Sequence, residues 1–194
     1  AILTHDFPAA AAELDEVVSQ FTVGVGELLQ GGGGESAMTQ RLRRALASAG
    51  WEKHRFSIRK IVDNQEREAT SHIVDHYRKI GESAIALEIE WNNKDTFFDR
   101  DLENFKRLHI DSAISMGIIL TRGTSFHDRL REVIAEYCRA HEITSLDHLP
   151  RIEIERTSRQ LEMIQRRLGS GRDFPEVFAH AFVADKYGEA TTHW

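Results

Sequence analysis

Glu88 and Glu90 stand one residue apart in "SAIALEIEW", residues 83–91, directly after the apolar run Ile85-Ala86-Leu87. The run reads as a buried strand. Strand side chains alternate between faces, so the two carboxylates share one. Asp75 closes the apolar half of the preceding segment, "SHIVD". If the two segments pair as a hairpin, Asp75 lies beside Glu88 and Glu90 at one end of a sheet. Three carboxylates in a partly buried site repel one another and lose hydration, so something positive must compensate. A hard divalent cation does this; Mg2+ typically takes one or two carboxylates and keeps other positions for water and phosphate oxygens. Asp75 and Glu88 are the expected ligand pair, with Glu90 orienting or deprotonating an attacking water. The competing reading is a solvated polar face, which antiparallel sheets often carry.

The elements that would hold these acids follow from hydrophobic period. "RFSIRKIV" (55–62), "TSHIVDHY" (70–77) and "SAIALEIEW" (83–91) read as three strands. Their connections, "DNQEREA" and "RKIGE", are short enough for antiparallel neighbours. Phe98, Leu102, Phe105 and Leu108 recur at helical spacing over 97–109, and "AISMGIILTRG" (113–123) reads as a strand buried on both faces. A helix between two such strands is a crossover to a parallel neighbour. The expected fold class is therefore α/β, or α+β, with a β-β-β-α-β mixed sheet flanked by helices. Before it, "GGGG" (31–34) reads as a hinge between two helical patterns; Leu14, Val17, Val18 and Phe21 line the first, and Leu42, Ala45, Leu46 and Ala49 line the second. Ser36 is placed to cap that second helix and Gly50 to end it. Beyond the sheet, Phe126, Leu130, Val133, Ile134 and Tyr137 line one helix, and Leu161, Ile164 and Leu168 another. The tail from "FPEVFAHAF" begins as a short helix and then loses its pattern. We expect one domain over 1–194, with a helical part 9–50, a core 51–123 and a helical part 124–194.

The sequence from 75 to 90, D-x(12)-E-x-E on adjacent strands with a crossover helix after it, resembles the core of the PD-(D/E)xK nuclease superfamily. In most of that superfamily the last position is lysine; here it is Glu90, as in BamHI-type enzymes. The longer stretches "ALEIEWNNKDTFFDRDLENFKRLHIDSAISMGIILTRG" (86–123) and "GGGGESAMTQRLRRALASAGW" (31–51) resemble the BglII/BamHI-type restriction endonuclease family. The resemblance implies a restriction-endonuclease-like fold and a homodimer that cuts double-stranded DNA at a palindromic site with Mg2+. It puts Asp75 and Glu88 at the metal-binding positions and Glu90 at the lysine-equivalent one. Specificity does not carry over, because it depends on loops outside the matched core. The ending "EATTHW" resembles a family segment that usually continues into another strand, so the resemblance implies a missing terminal piece.

Other residues carry a chemical reading beside an ordinary one. Lys94 shares the strand parity of Glu88 and Glu90, but "NNKD" reads as a turn. His76, next to the acids, is a candidate phosphate contact, and so are Arg122 after the last core strand and Arg41 and Arg44 on the polar side of the second helix. Arg43 shares that polar side, and a solvated surface is the ordinary role for such arginines. His72, Asp75 and His76 define a different metal hydrolase, although His72 and His76 lie far apart on a strand. A third class is a DNA-binding or dimerisation module that kept a nuclease fold without activity. The net charge of -6 gives no bulk signal for nucleic acid, yet a basic cleft can sit on an acidic protein. The single cysteine, Cys138, excludes an intramolecular disulfide and fits a cytoplasmic location. No apolar run approaches the roughly 18 residues of a membrane span. The first residues have no basic n-region or sustained apolar stretch, so no signal peptide is expected, and the absence of Met fits a trimmed N-terminus. Helix 97–109 or helix 126–141 is the expected dimer contact.

Overall fold

Strands β1 (Glu52–Val62), β2 (Gln65–Ile80), β3 (Ser83–Ile89) and β4 (Met116–Leu120) form a sheet in the order β1-β2-β3-β4. β1, β2 and β3 are antiparallel neighbours, and β4 runs parallel to β3 after the crossover helix α5 (Asp95–Ile110). This is the mixed α/β architecture that the period of the sequence predicts. The computed structural model describes residues 2–30, 36–90, 95–152, 158–168 and 173–186. The "GGGG" hinge and the end of the tail lie outside them. Two compact units divide the chain: Ala1–Phe21 with Thr39–Thr121, and Thr22–Met38 with Arg122–Trp194.

In the first unit β3 is the centre. Ile85 and Leu87 pack on one face against Ala10 and Leu14 of α2 (Pro8–Ser19), Leu42 and Leu46 of α4 (Ala37–Ser48), and Trp51. Ala86 packs on the other face with Phe56, Val74, Ile114 and the α5 residues Phe105 and Leu108. A strand covered on both faces must be apolar at successive positions, which is why 84–87 reads as a continuous run. α1 (Ile2–Asp6) precedes α2, and Arg78 of β2 holds α2 in place by bridging to Glu13 at 2.7 Å. The indole N–H of Trp51 donates to the same carboxylate at 3.1 Å.

α4 stops where expected. Gly50 takes a positive φ of 88°, its N–H donates to the Ala47 carbonyl, and the Trp51 N–H reaches back to Leu46 at 2.9 Å. That pair of bonds is the glycine-terminated end that satisfies the last carbonyls of a helix. Leu46 and Trp51, both fully buried, close the apolar contact beside it.

Three expectations need correction. The link between β1 and β2 is the two residues Asp63 and Asn64 at positive φ, and β2 resumes at Gln65. Asp and Asn tolerate that conformation, and the resulting turn matches the twist of a hairpin. The polar run after it reads as loop because it belongs to a solvent-exposed ribbon. β4 is shorter than expected and only partly buried, since it is the edge strand of the described sheet. Leu102 is 51% exposed; α5 turns 101, 105 and 108 towards the sheet.

In the second unit, α3 (Val25–Leu29), α6 (Thr124–Ala140), a 3-10 turn (Leu146–Ile152), α7 (Ser158–Leu168) and α8 (Phe174–Lys186) surround their own core. Leu130, Ile134 and Cys138 of α6 pack with Phe174, Phe178 and Phe182 of α8. Arg139 ties the two helices by reaching Asp173 at 3.0 Å and Glu176 at 3.1 Å. Burial pushes the Cys138 thiol up to about 11, so it stays protonated and acts as a small apolar side chain.

α5 lies so close to β4 that a side-chain carbon on Gly117 would run into the Phe105 ring. Gly117→Ala should therefore destabilise the fold by about 1–3 kcal/mol, the usual cost of overpacking a tight contact. Chemical denaturation of the two proteins checks this; equal stability would mean that α5 moves aside at no cost.

Candidate active site

The site is built where β2 and β3 run side by side. His76 pairs with Leu87 in the antiparallel register, and Asp75 follows at the strand position next to Glu88. The Asp75 N–H donates to Glu88 Oε1 at 3.2 Å. β1 and β2 fall out of step here: Glu52 pairs with Tyr77 and His54 with Val74. Lys53 alone therefore faces both Asp75 and His76, which is a β-bulge. The extra residue lets Val74 and Tyr77, three apart, pack in the same cluster as Ala86. It also sets Asp75 against Lys53, whose Nζ lies 3.4 Å from Asp75 Oδ1.

Glu88 and Glu90 share the face that α5 covers. The Glu90 N–H donates to the Leu120 carbonyl at 3.0 Å, so the β3–β4 pairing carries on one residue past the strand. Glu90 is 4% exposed and meets Asp101 of α5, which is 3% exposed. Arg100 closes that end, with Nη2 2.9 Å from Asp101 Oδ1 and 3.7 Å from Glu90 Oε1. Glu90 Oε2 and Asp101 Oδ2 are buried and have no hydrogen-bond partner.

Asp101 lies outside the acid motif of the strands, although the sequence carries a signal for it. It lies four residues before Phe105 and seven before Leu108, hence in the stripe that faces the sheet. A charged residue in a buried stripe marks a partner on the other side.

The carboxyl groups carry the strain of this arrangement. Burial, then the charges of Asp75 and Asp101, push Glu88 up to about 8, while the Asp75 N–H acts the other way. Burial, then the carboxyl group of Asp101 beside it, push Glu90 to the same region, partly offset by Arg100. Both groups therefore favour the protonated form until a cation arrives.

Asp75 and Glu88 come together as expected; Glu90 is turned towards Asp101 and Arg100. Among the described residues, no group of three or more His, Cys, Asp or Glu side chains is set as a metal cage. The expected convergence of Asp75, Glu88 and Glu90 on one ion is therefore replaced by two acid pairs. Two carboxylates are nonetheless what Mg2+ commonly takes from a protein. A pair of carboxylates in contact, one of them with its charge disfavoured by burial and by the other's charge, fits a hard dication at Asp75 and Glu88.

The other candidates are placed as follows. His76 is 1% exposed, and its pairing with Leu87 puts it on that residue's face of the sheet. Burial holds its pKa below the ordinary value, against the Asp75 charge and the Trp51 backbone. His72 pairs with Phe56 further along β2, four positions from His76 on an extended strand, which sets the two imidazoles too far apart for the His72–Asp75–His76 metal set. Arg41 lies over the Phe21 ring at 5.7 Å, a packing role in place of an open cationic face. Arg44 is exposed on α4, and Arg122 is half-buried after β4. Lys94 lies outside the described residues.

A family model described as Restriction endonuclease BglII/BglIII matches residues 1–194. No curated protein and no solved structure matches the chain.

The raised carboxyl groups have a consequence for metal-free protein. Between the ordinary value of 4.5 and about 8, the folded chain keeps protons that the unfolded chain has released. Stability should then fall as pH rises through that window. Thermal melts in chelator from about pH 5 to about pH 8 should show a declining midpoint, and Glu88→Gln should flatten the decline. A wild-type midpoint that rises across this range would contradict the assigned strain.

Proposed function

The chain belongs to the BglII/BglIII restriction endonuclease family, and on that premise we propose that it hydrolyses phosphodiester bonds of double-stranded DNA at a specific, palindromic site, using Mg2+. The observation that carries this reading is the contact of Asp75 with Glu88 at the end of a mixed sheet, with Glu90 and Asp101 beside them. Four acids gathered where burial already disfavours their charge serve poorly as a scaffold. That weighs against a DNA-binding module that kept the fold without the chemistry.

Asp75 and Glu88 would hold the dication, Asp75 from the solvent side, where its side chain is 52% exposed. The dication, when bound, neutralises charge at the phosphate and relieves the repulsion between its two ligands. Glu90 takes the proton of the attacking water. Arg100 favours its ionised form, and Asp101 offers a second carboxylate with which that proton can be shared. Lys53 orients Asp75 through the 3.4 Å ion pair between them.

Cutting both strands of a palindrome calls for two sites related by a twofold axis, so the working form is a homodimer. α5 keeps Leu102 and Ile110 exposed, whereas Leu130 and Ile134 of α6 are spent in their own core. That leaves α5 as the proposed contact. No described helix is long and apolar enough to cross a membrane, and DNA as substrate puts the place of action in the cytoplasm.

Incubation with plasmid and mixed genomic DNA should give discrete fragments with Mg2+ and none with chelator. Glu88→Ala should cut nothing while melting, metal-free, no lower than the wild type. Cutting by Glu88→Ala, or activity with Zn2+ alone, would defeat the assignment. The chain should sediment as a dimer at micromolar concentration when duplex is present; a persistent monomer argues against two-strand cutting by paired sites.

A further inference from the structure

Resting on the reading above and deepening it, we propose that Arg100 is the side chain that grips the phosphate being cut. Among the described residues, the cations in ion-pair contact with the four acids are Lys53, on Asp75, and Arg100, on Glu90 and Asp101. They stand at opposite ends. A dication at Asp75 and Glu88 adds its charge at the Lys53 end. The Glu90 end depends on Arg100.

That end has the harder electrostatic task. Two buried carboxylates, Glu90 and Asp101, share that end, and both lie within 3.7 Å of Arg100. A phosphodiester approaching two carboxylates is repelled unless a cation lies between them. Arg100 is placed to intervene. Its side chain is 57% exposed, while those it touches are 5% and 3% exposed. The guanidinium thus caps the buried acids and faces outwards. Nε and Nη2 both reach Asp101 Oδ1 at 2.9 Å, which fixes the plane of the group. A fixed guanidinium matches phosphate oxygens in a way that a lysine ammonium does not.

The chemistry balances without a further reactant. The water oxygen bonds to phosphorus as the bond from phosphorus to the departing sugar oxygen breaks. The water proton passes to Glu90, and solvent protonates the sugar oxygen. Negative charge grows on the non-bridging oxygens, and Arg100 stabilises it. Asp101 is the positioning residue that holds Arg100 in the plane required.

The test is single-turnover cleavage of a cognate duplex in Mg2+ by wild type, Arg100→Ala and Arg100→Lys, with duplex affinity measured in Ca2+. Arg100→Ala should cut about 100-fold more slowly or worse, the usual cost of removing one donor to a developing oxyanion. Its duplex affinity should fall far less than its rate. A phosphorothioate at the scissile position should slow the wild type, and slow Arg100→Ala by a smaller factor. Arg100→Lys keeps a charge on the acids and should still be slow, which covers the case where Arg100→Ala folds poorly. The double variant Arg100→Ala/Asp101→Asn separates the roles, because it removes the acid that Arg100 neutralises. Recovery of activity there, or Arg100→Ala cutting within about threefold of wild type, overturns the proposal. A wild type that cuts no DNA fails the parent reading instead, so the two failures are distinct.

Discussion

Like charges in contact, away from bulk water, are the constraint to which the first unit answers. Asp75, Glu88, Glu90 and Asp101 come from three elements, β2, β3 and α5; Asp75 and Asp101 raise the cost of ionising Glu88, and Asp101 and Glu88 that of ionising Glu90. The elements stay together because their apolar residues outweigh that repulsion. Ile85, Ala86 and Leu87 are completely buried immediately before Glu88. Leu108 is completely buried two turns after Asp101. Glu88 and Glu90 are carried at the end of a strand whose preceding residues are anchored in the core.

Small irregularities aim the side chains. A regular β2 would alternate strictly from Val74 to Tyr77 and could not pack both in one cluster. One extra residue opposite Lys53 resolves that and brings Asp75 to both a cation and Glu88. Gly117 plays the matching part on the other side. The absence of a side chain there lets the Phe105 ring approach β4, and the same approach brings Asp101 down to Glu90. Both features set distances between the charged groups.

The second unit is built differently. Its core is made by helices whose apolar residues meet through Leu130, Ile134 and Phe178. Its buried cysteine is held protonated, and its main ion pairs, from Arg139, lie on the surface. Exposed pairs of this kind contribute little to stability. Helical packing carries the unit.

The sequence alone determined the order of elements and the identity of three acids. A continuous apolar run and a period-3.6 pattern are local properties, and they survive in 83–89 and 95–110 because the strand buries both faces and the helix one. The spacing of Glu88 and Glu90 places them on one side of a strand in any fold that keeps the strand. Tertiary structure decided the rest. A bulge exists only between paired strands, so nothing within "SHIVDHY" shows that Asp75 and His76 oppose a single lysine. The rotation of α5 depends on what lies beneath it; Gly117 admits Phe105, Leu102 turns to solvent, and Asp101 turns in. The pairing of Glu90 with Asp101 and Arg100 follows from that rotation, because contacts between a helix and a strand are set by packing and not by the spacing of either.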